Sequence, residues 1–157
     1  MNDSDLASTL TQYRAGLEAE IALLRQLHDI AGWQREGTET RDFERFAVQS
    51  DARERLTLTL VTIEQGLRAM RDALTRARPQ LVDHPAYQEV LALRRSAGEL
   101  VAQILDTDQA SMKALADAEL ARRAAVASLE RGETTLAAYR KVITPPVPPA
   151  TLLDRLG

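Results

Sequence analysis

Few residues in this sequence have the types and spacing that catalysis or metal binding requires. The two histidines, His28 and His84, lie far apart, and neither follows a glutamate by three residues, which excludes the Glu-x-x-His pairs of di-metal helical bundles. There is no cysteine, so disulfides, thiolate zinc sites and cysteine nucleophiles are excluded as well. A Gly-rich phosphate loop and the motifs HExxH and GxSxG are also missing. The sequence therefore predicts a protein that is not an enzyme and that uses no cofactor and no metal.

The composition of the chain limits its partners and its location. Its 20 Lys+Arg and 23 Asp+Glu give a formal net charge of -3, so no overall positive field attracts a nucleic acid. No run of 18 apolar residues occurs, and the first residues are acidic where a secretory signal is basic, which predicts a cytoplasmic location without membrane insertion. Hydrophobic residues make up 45% and aromatic residues only 4%, which is typical of long helices packed through aliphatic side chains.

The spacing of apolar residues predicts a first helix from about Asp3 to Glu36. Asp3 or Ser4 is its expected N-cap and Gly37 its expected end. Glu20 interrupts the row and either sets the register or extends out to solvent, and the second interpretation is favoured. The row alternates by four and three residues and comprises Leu6, Leu10, Tyr13, Leu17, Leu24, Leu27 and Ala31.

A second helix is predicted from near Arg41 to about Arg78, with Thr40 as its cap and Pro79 as its end. Its apolar row shows the strongest periodicity in the chain. The row extends without interruption through Leu56, Leu60, Ile63, Leu67, Met70, Leu74, Ala77 and Leu81.

The third segment is compatible with helix from Pro85 to about Ile143, as one helix or as two that meet near residues 106–111. Short connections predict antiparallel neighbours. The predicted fold is all-α, an elongated antiparallel helical bundle or coiled-coil hairpin of three long helices. It forms one domain over residues 1–144, and a Pro-rich flexible tail follows over residues 145–157.

Charged residues interrupt the apolar row of the third segment, so fewer of its positions are apolar. Asp108, Glu119, Arg122 and Glu133 fall on the same stripe, so the row is less committed to the protein's own core and can accept a partner. The apolar members are Tyr87, Val90, Leu91, Val101, Leu105, Met112, Leu115, Val126, Leu129, Leu136 and Ile143.

Several single residues have a structural interpretation that is favoured over a functional one. Trp33 is expected to be a core or capping aromatic residue and not a binding hot spot. The pairs Arg94/Arg95 and Arg122/Arg123 are expected to lie on solvated helix faces and to pair with nearby glutamates.

Three stretches resemble the bacterial flagellar type III export chaperones of the FlgN/FliT kind. The first is LEAEIALLRQL at residues 17–27, in which a glutamate interrupts a leucine row. The second is RDFERF at residues 41–46, followed by RERL at residues 53–56. The third is RGETTLAAYR at residues 131–140, followed by a Pro-rich stretch and LLDRLG at residues 152–157. The likeness spans most of the chain.

The resemblance implies a chaperone that holds a flagellar hook-associated or filament-cap subunit for export, with the export apparatus as a further partner. The implied client surface is the C-terminal half of the third segment, where the apolar row is thinnest. The residues expected to bind the client are Leu115, Val126, Leu129, Leu136, Tyr139 and Ile143. The tail residues Leu152, Leu153 and Leu156 are hypothesised to cover this surface when no client is bound.

Two alternatives remain open at the level of sequence. A structural protein without a client would form a homodimer through the second helix. A helical-bundle ligand carrier or enzyme would need a polar constellation, and a cavity containing paired carboxylates would favour it.

Overall fold

The computed structural model describes residues 2–131, and this part of the chain contains four helices and no strand. The helices are α1 (Asp3–Glu39), α2 (Phe43–Arg76), α3 (Arg78–Leu81) and α4 (Pro85–Glu130). The all-α prediction is therefore confirmed, with long helices that pack against one another. The predicted tail, residues 145–157, lies outside the described residues. Within residues 2–131, no helix combines the length and the apolar character that a membrane crossing needs.

The N-cap of α1 is Asn2, so the prediction of Asp3 or Ser4 is wrong by one residue or two. The Asn2 side-chain oxygen accepts a hydrogen bond from the backbone N–H of Asp5 at 2.8 Å. Asparagine is a strong N-cap residue because its short side chain reaches one of the unpaired N–H groups of the first turn.

The end of α1 does not lie at Gly37, which is inside the helix. Arg41 has a φ of 58° and holds the left-handed position that glycine usually takes after a helix. The Asp42 N–H donates to the Gly37 carbonyl at 2.8 Å, and the Arg41 N–H donates to the Thr38 carbonyl at 3.4 Å, the two bonds of a Schellman motif. Gly37 serves close packing instead, because a Cβ there would lie 3.1 Å from the Asp42 carbonyl oxygen.

The cap of α2 is Asp42, and the prediction of Thr40 is wrong. An Asp42 carboxylate oxygen accepts a hydrogen bond from the Arg45 N–H at 3.1 Å. The Thr40 hydroxyl instead donates back to the Glu36 carbonyl at 2.8 Å, so it belongs to the end of α1.

The connection from α2 to α4 contains one short helix that the sequence did not reveal. Pro79 lies in the first turn of α3 and does not end α2, which stops at Arg76. Pro85 begins α4 as predicted. His84 precedes it as a cap, since its Nδ1 accepts a hydrogen bond from the Ala86 N–H at 3.2 Å. The long helix α4 continues without a break through residues 106–111.

The chain divides into two compact units. The first comprises Met1–Asp29 and Arg53–Leu105. Its core joins the predicted row of α1 to the second half of the predicted row of α2, where Gly16 allows close contact with the Leu67 side chain. The buried members of this core are Leu6, Leu10, Tyr13, Leu17, Leu67, Leu74, Leu81, Tyr87 and Val90.

The second unit comprises Ile30–Ala52 and Asp106–Gly157. Its core cluster joins Phe43 and Phe46 of α2 to Leu115 of α4. Gln34 of α1 is buried as well, and its side-chain amide donates to the Phe46 carbonyl at 3.4 Å and to the Ser50 hydroxyl at 3.1 Å. The two aromatic side chains therefore pack α2 against α4, and the hydrogen-bonded amide of Gln34 joins α1 to α2.

Candidate protein-binding surface and charged groove

The residues predicted to bind a client have three different placements. Leu115 is only 8% exposed and packs against Phe43 and Phe46, so it belongs to the core of the second unit. Val126 and Leu129 are half-buried. The remaining three, Leu136, Tyr139 and Ile143, lie outside the described residues.

The large apolar side chains that α4 does expose in the second unit are Met112 and Leu120. They are 55% and 64% exposed. Met112 belongs to the predicted row of the third segment. Leu120 was missed because it lies one position after Glu119, off that row. The signal that could have found it is the break in the row, where the charged residues Glu119 and Arg122 occupy the row positions. Leu120, one residue after Glu119, therefore lies outside the row on α4.

Charged side chains next to Leu120 are paired among themselves. Glu119 accepts hydrogen bonds from Arg122 at 3.3 Å and from Arg123 at 2.8 Å, and these bonds, led by that from Arg122, lower the pKa of the Glu119 carboxyl. The predicted pairing of Arg122 and Arg123 with a nearby glutamate is confirmed. The three side chains together carry one net positive charge, which the exposed Arg123 guanidinium can keep in water.

Trp33 is exposed, and the prediction of a core or capping aromatic residue is wrong. The buried positions at this end of α1 are Ala31, Gln34 and Thr38, which continue the alternation of three and four residues. Trp33 lies between two of these positions on the solvent side. Together with Val48, which is also exposed, it gives the second unit apolar surface on α1 and α2.

A groove of about 270 Å³ lies within the first unit, between α1, α2 and α4. Its walls combine apolar residues with two acidic and two basic side chains. The lining residues are Tyr13, Leu17, Glu20, Glu64, Arg71, Arg94, Ala97, Gly98 and Val101. It is an open groove lined by two carboxylates, of which that of Glu64 is paired with Arg71.

Arg71 organises the polar side of the groove. Its Nε donates to the Tyr13 hydroxyl at 3.1 Å, and its Nη2 donates to a Glu64 carboxylate oxygen at 2.7 Å. These two bonds, that of Tyr13 first, raise the pKa of the Arg71 guanidinium, which stays charged. The Tyr13 ring is buried in the core, so the network connects the groove to the hydrophobic interior.

Glu20 lines the same groove and is half-buried, so it does not extend fully into solvent. Burial raises the pKa of its carboxyl, and repulsion by Glu64 raises it further, against the attraction of Arg71. No hydrogen bond to the Glu20 carboxylate is found among residues 2–131. The groove therefore presents one acidic side chain whose hydrogen-bonding capacity is not used.

Sequence reasoning identified Glu20 but not its neighbours. Glu64 and Arg71 lie seven residues apart, each one position after a member of the α2 row, so they share one edge of that helix. The seven-residue spacing was the feature of the sequence that could have indicated that these two side chains lie together. Which helix faces this edge depends on the packing of three helices, and no single periodicity contains that information.

Within residues 2–131, no group of three or more His, Cys, Asp or Glu side chains could hold a metal ion. No protein-family model, no curated protein and no solved structure matches this chain.

Proposed function

We propose that this chain is a non-enzymatic chaperone that holds a flagellar hook-associated or filament-cap subunit for type III export, by means of the second half of α4. The single observation that carries the proposal is the exposure of Met112 and Leu120 on that helix. An exposed large apolar side chain gains about 1.5–3 kcal/mol when a partner buries it fully. The resemblance of residues 17–27, 41–46 and 131–140 to the export chaperones supplies the class of client.

The proposed client is an amphipathic helix that lies against α4. Such a helix places apolar side chains at intervals of three and four residues, and the eight-residue separation puts Met112 and Leu120 about 80° apart around α4, within one apolar stripe. Half-buried Val126 lies further along α4, whereas half-buried Leu129 is about 180° from Leu120 around the helix axis and faces another side of α4. Leu115 is not part of the proposed client surface because it is buried in the core of the second unit. The roles of Leu136, Tyr139 and Ile143, and a contact with the export apparatus, remain predictions.

The test is a pull-down from a lysate of a flagellated bacterium, with identification of the captured proteins. The wild-type chain should capture a flagellar axial subunit, and the double variant Met112→Ser with Leu120→Ser should not. Substitution is preferable to removal of residues 112–157, because removal also deletes the buried Leu115. The matched control is Leu58→Ser on α2, where the leucine is 63% exposed. Capture by the double variant at the wild-type level would contradict the proposal.

The tail hypothesis has its own test. Removal of residues 145–157 deletes Leu152, Leu153 and Leu156 and should tighten client binding if these residues cover the surface. Unchanged affinity would remove that hypothesis and leave the proposed client surface intact.

A homodimer through α2 is the second candidate, and one observation favours it. Leu58 and Val61, three residues apart on α2, are both exposed, although they flank the strongest apolar row in the chain. Light scattering at micromolar concentration separates the candidates. A stable dimer that Leu58→Ser converts to monomer would support the structural alternative, whereas a monomer would exclude it.

A further inference from the structure

The groove in the first unit has features that the proposed client surface does not use. Its volume of about 270 Å³ corresponds to roughly nine water molecules at ~30 Å³ each, which suits one long side chain or a small molecule. Leu17, Ala97 and Val101 supply apolar wall, and Glu20 supplies an acceptor at one side. This combination is suited to a ligand that has an aliphatic stem and a polar end.

The charges on the groove favour a cation at Glu20. Arg71 is already engaged by Tyr13 and Glu64, so its charge is compensated within the protein. Arg94 also lines the groove, but it is exposed and its charge is screened by water. The half-buried Glu20 carboxylate has no hydrogen bond among residues 2–131 and is repelled by Glu64. A donor cation placed there would supply the missing hydrogen bonds and relieve the repulsion.

Gly98 lines the groove from α4. A Cβ at this position would meet no atom within 4 Å, so a larger side chain can be introduced there without displacing a neighbour. Position 98 therefore offers a way to change the groove without disturbing the core.

We propose that the groove formed by Glu20, Glu64, Arg71, Gly98 and Val101 is a binding site for a guanidinium or ammonium group carried on an aliphatic stem. The cation pairs with the Glu20 carboxylate, and its methylene groups lie along Leu17 and Val101. The source is either a small free amine or an arginine or lysine side chain of a bound protein. This site goes beyond the proposed chaperone function and does not depend on it.

The test is a titration of the full-length, isotope-labelled chain followed by NMR. Agmatine represents the free cation, and N-acetyl-arginine N-methylamide represents an arginine side chain on a peptide. At least one should produce saturable shifts at the Ala97 and Val101 amides, which the variants below retain, with a dissociation constant of about 1–10 mM for ligands of this size. Binding of agmatine alone would identify a small amine, and equal or tighter binding of the blocked arginine would identify a protein side chain.

Two variants separate recognition of the cation from a structural effect. Glu20→Gln keeps the shape of the side chain and should weaken cation binding at least about tenfold, while the thermal stability at pH 7 does not fall. Arg94→Gln removes a positive charge from the rim and should leave the affinity unchanged or raise it. A fall in cation affinity in Arg94→Gln would mean that Arg94 helps to hold the ligand instead of repelling a cation, and the proposal would be overturned.

A blocking variant tests the location. Gly98→Leu fills the groove with a residue that favours helix and should abolish the saturable shifts. Gly66→Leu is the matched control, because Gly66 lies on α2, does not line the groove and also has open space around its Cβ position. The proposal fails if neither cation binds saturably, if sodium butyrate or 1-butanol binds equally well, or if Gly98→Leu binds like the wild-type chain.

Discussion

Leu17 on α1 and Leu120 on the later part of α4 have very different environments. Leu17 on α1 is 2% exposed, as are its neighbours along the row to within a few per cent, whereas Leu105 and Leu120 on α4 are more than half exposed. Both helices are long, and both were predicted from periodic apolar residues. Leu105 belongs to the predicted row of α4 and is exposed all the same, so a periodic apolar row is buried only where another helix covers it. Leu120 lies off that row, on the outer side of α4.

The largest expected effect comes from truncating one leucine on each helix. Leu17→Ala should lower the free energy of unfolding by about 2–5 kcal/mol, because it leaves a cavity in a packed core. Leu120→Ala should change it by less than about 0.5 kcal/mol, since its side chain is already in water. Urea denaturation followed by circular dichroism measures both. Equal losses of unfolding free energy in the two variants would mean that Leu120 is part of the core and that the two leucines do not differ in environment.

Two glycine-to-alanine substitutions should change the stability of the fold in opposite directions. In Gly16→Ala the added methyl overlaps the buried Leu67 side chain and should cost about 1–3 kcal/mol despite the better helix propensity of alanine. In Gly66→Ala the methyl meets nothing within 4 Å, so stability should rise by up to about 1 kcal/mol. Thermal unfolding of the two variants measures the difference. A stabilising Gly16→Ala would show that α1 and α2 approach less closely there.

Two buried polar residues, one on α1 and one on α4, also differ in environment, and their substitution should have smaller effects on stability. Gln34 on α1 is hydrogen-bonded, whereas the buried Ser111 hydroxyl on α4 has no hydrogen-bond partner among residues 2–131. Ser111→Ala should therefore stabilise the fold by up to about 1 kcal/mol, and Gln34→Ala should destabilise it by about 1–3 kcal/mol. Denaturation midpoints report both changes. Loss of stability in Ser111→Ala would contradict an unpaired Ser111 hydroxyl.

The smallest expected effect is the pH dependence contributed by Glu20. Its folded-state pKa is raised above the ordinary value of 4.5, so between the two values the folded chain holds more protons than the unfolded chain. The stability that Glu20 contributes is therefore lost as the pH rises through this range. Glu20→Gln should remove this loss and be the more stable protein at pH 7. Unfolding curves from pH 4 to pH 7 test it, with exposed Glu54→Gln as the control for removing a charge.

The sequence predicted the helices better than it predicted their ends. The apolar rows of α1 and α2 hold the buried residues as expected, and Pro85 begins α4, because these features depend on local spacing and backbone chemistry. The sequence predicts that α1 ends at Gly37 because glycine commonly follows helices. Its actual role is to let the start of α2 approach, which depends on a neighbour that local sequence does not identify.

The candidate sites were predicted only in part. Burial of Leu115 follows from its contact with Phe43 and Phe46, which lie some 70 residues earlier in the chain, so the row alone did not reveal it. The groove was also missed, since it combines Glu20, Glu64 and Gly98 from three helices. Both cases depend on which faces of different helices meet.

Calorimetric titration of the purified chain with purified filament-cap and hook-associated subunits tests whether the later part of α4 recruits a client. We expect binding to at least one subunit, with affinity reduced at least about tenfold by Leu120→Ser and unchanged by Leu58→Ser, a leucine of nearly equal exposure on α2. Absence of binding to every subunit, or equal affinity of Leu120→Ser and the wild-type chain, would contradict the claim that the later part of α4 recruits a client.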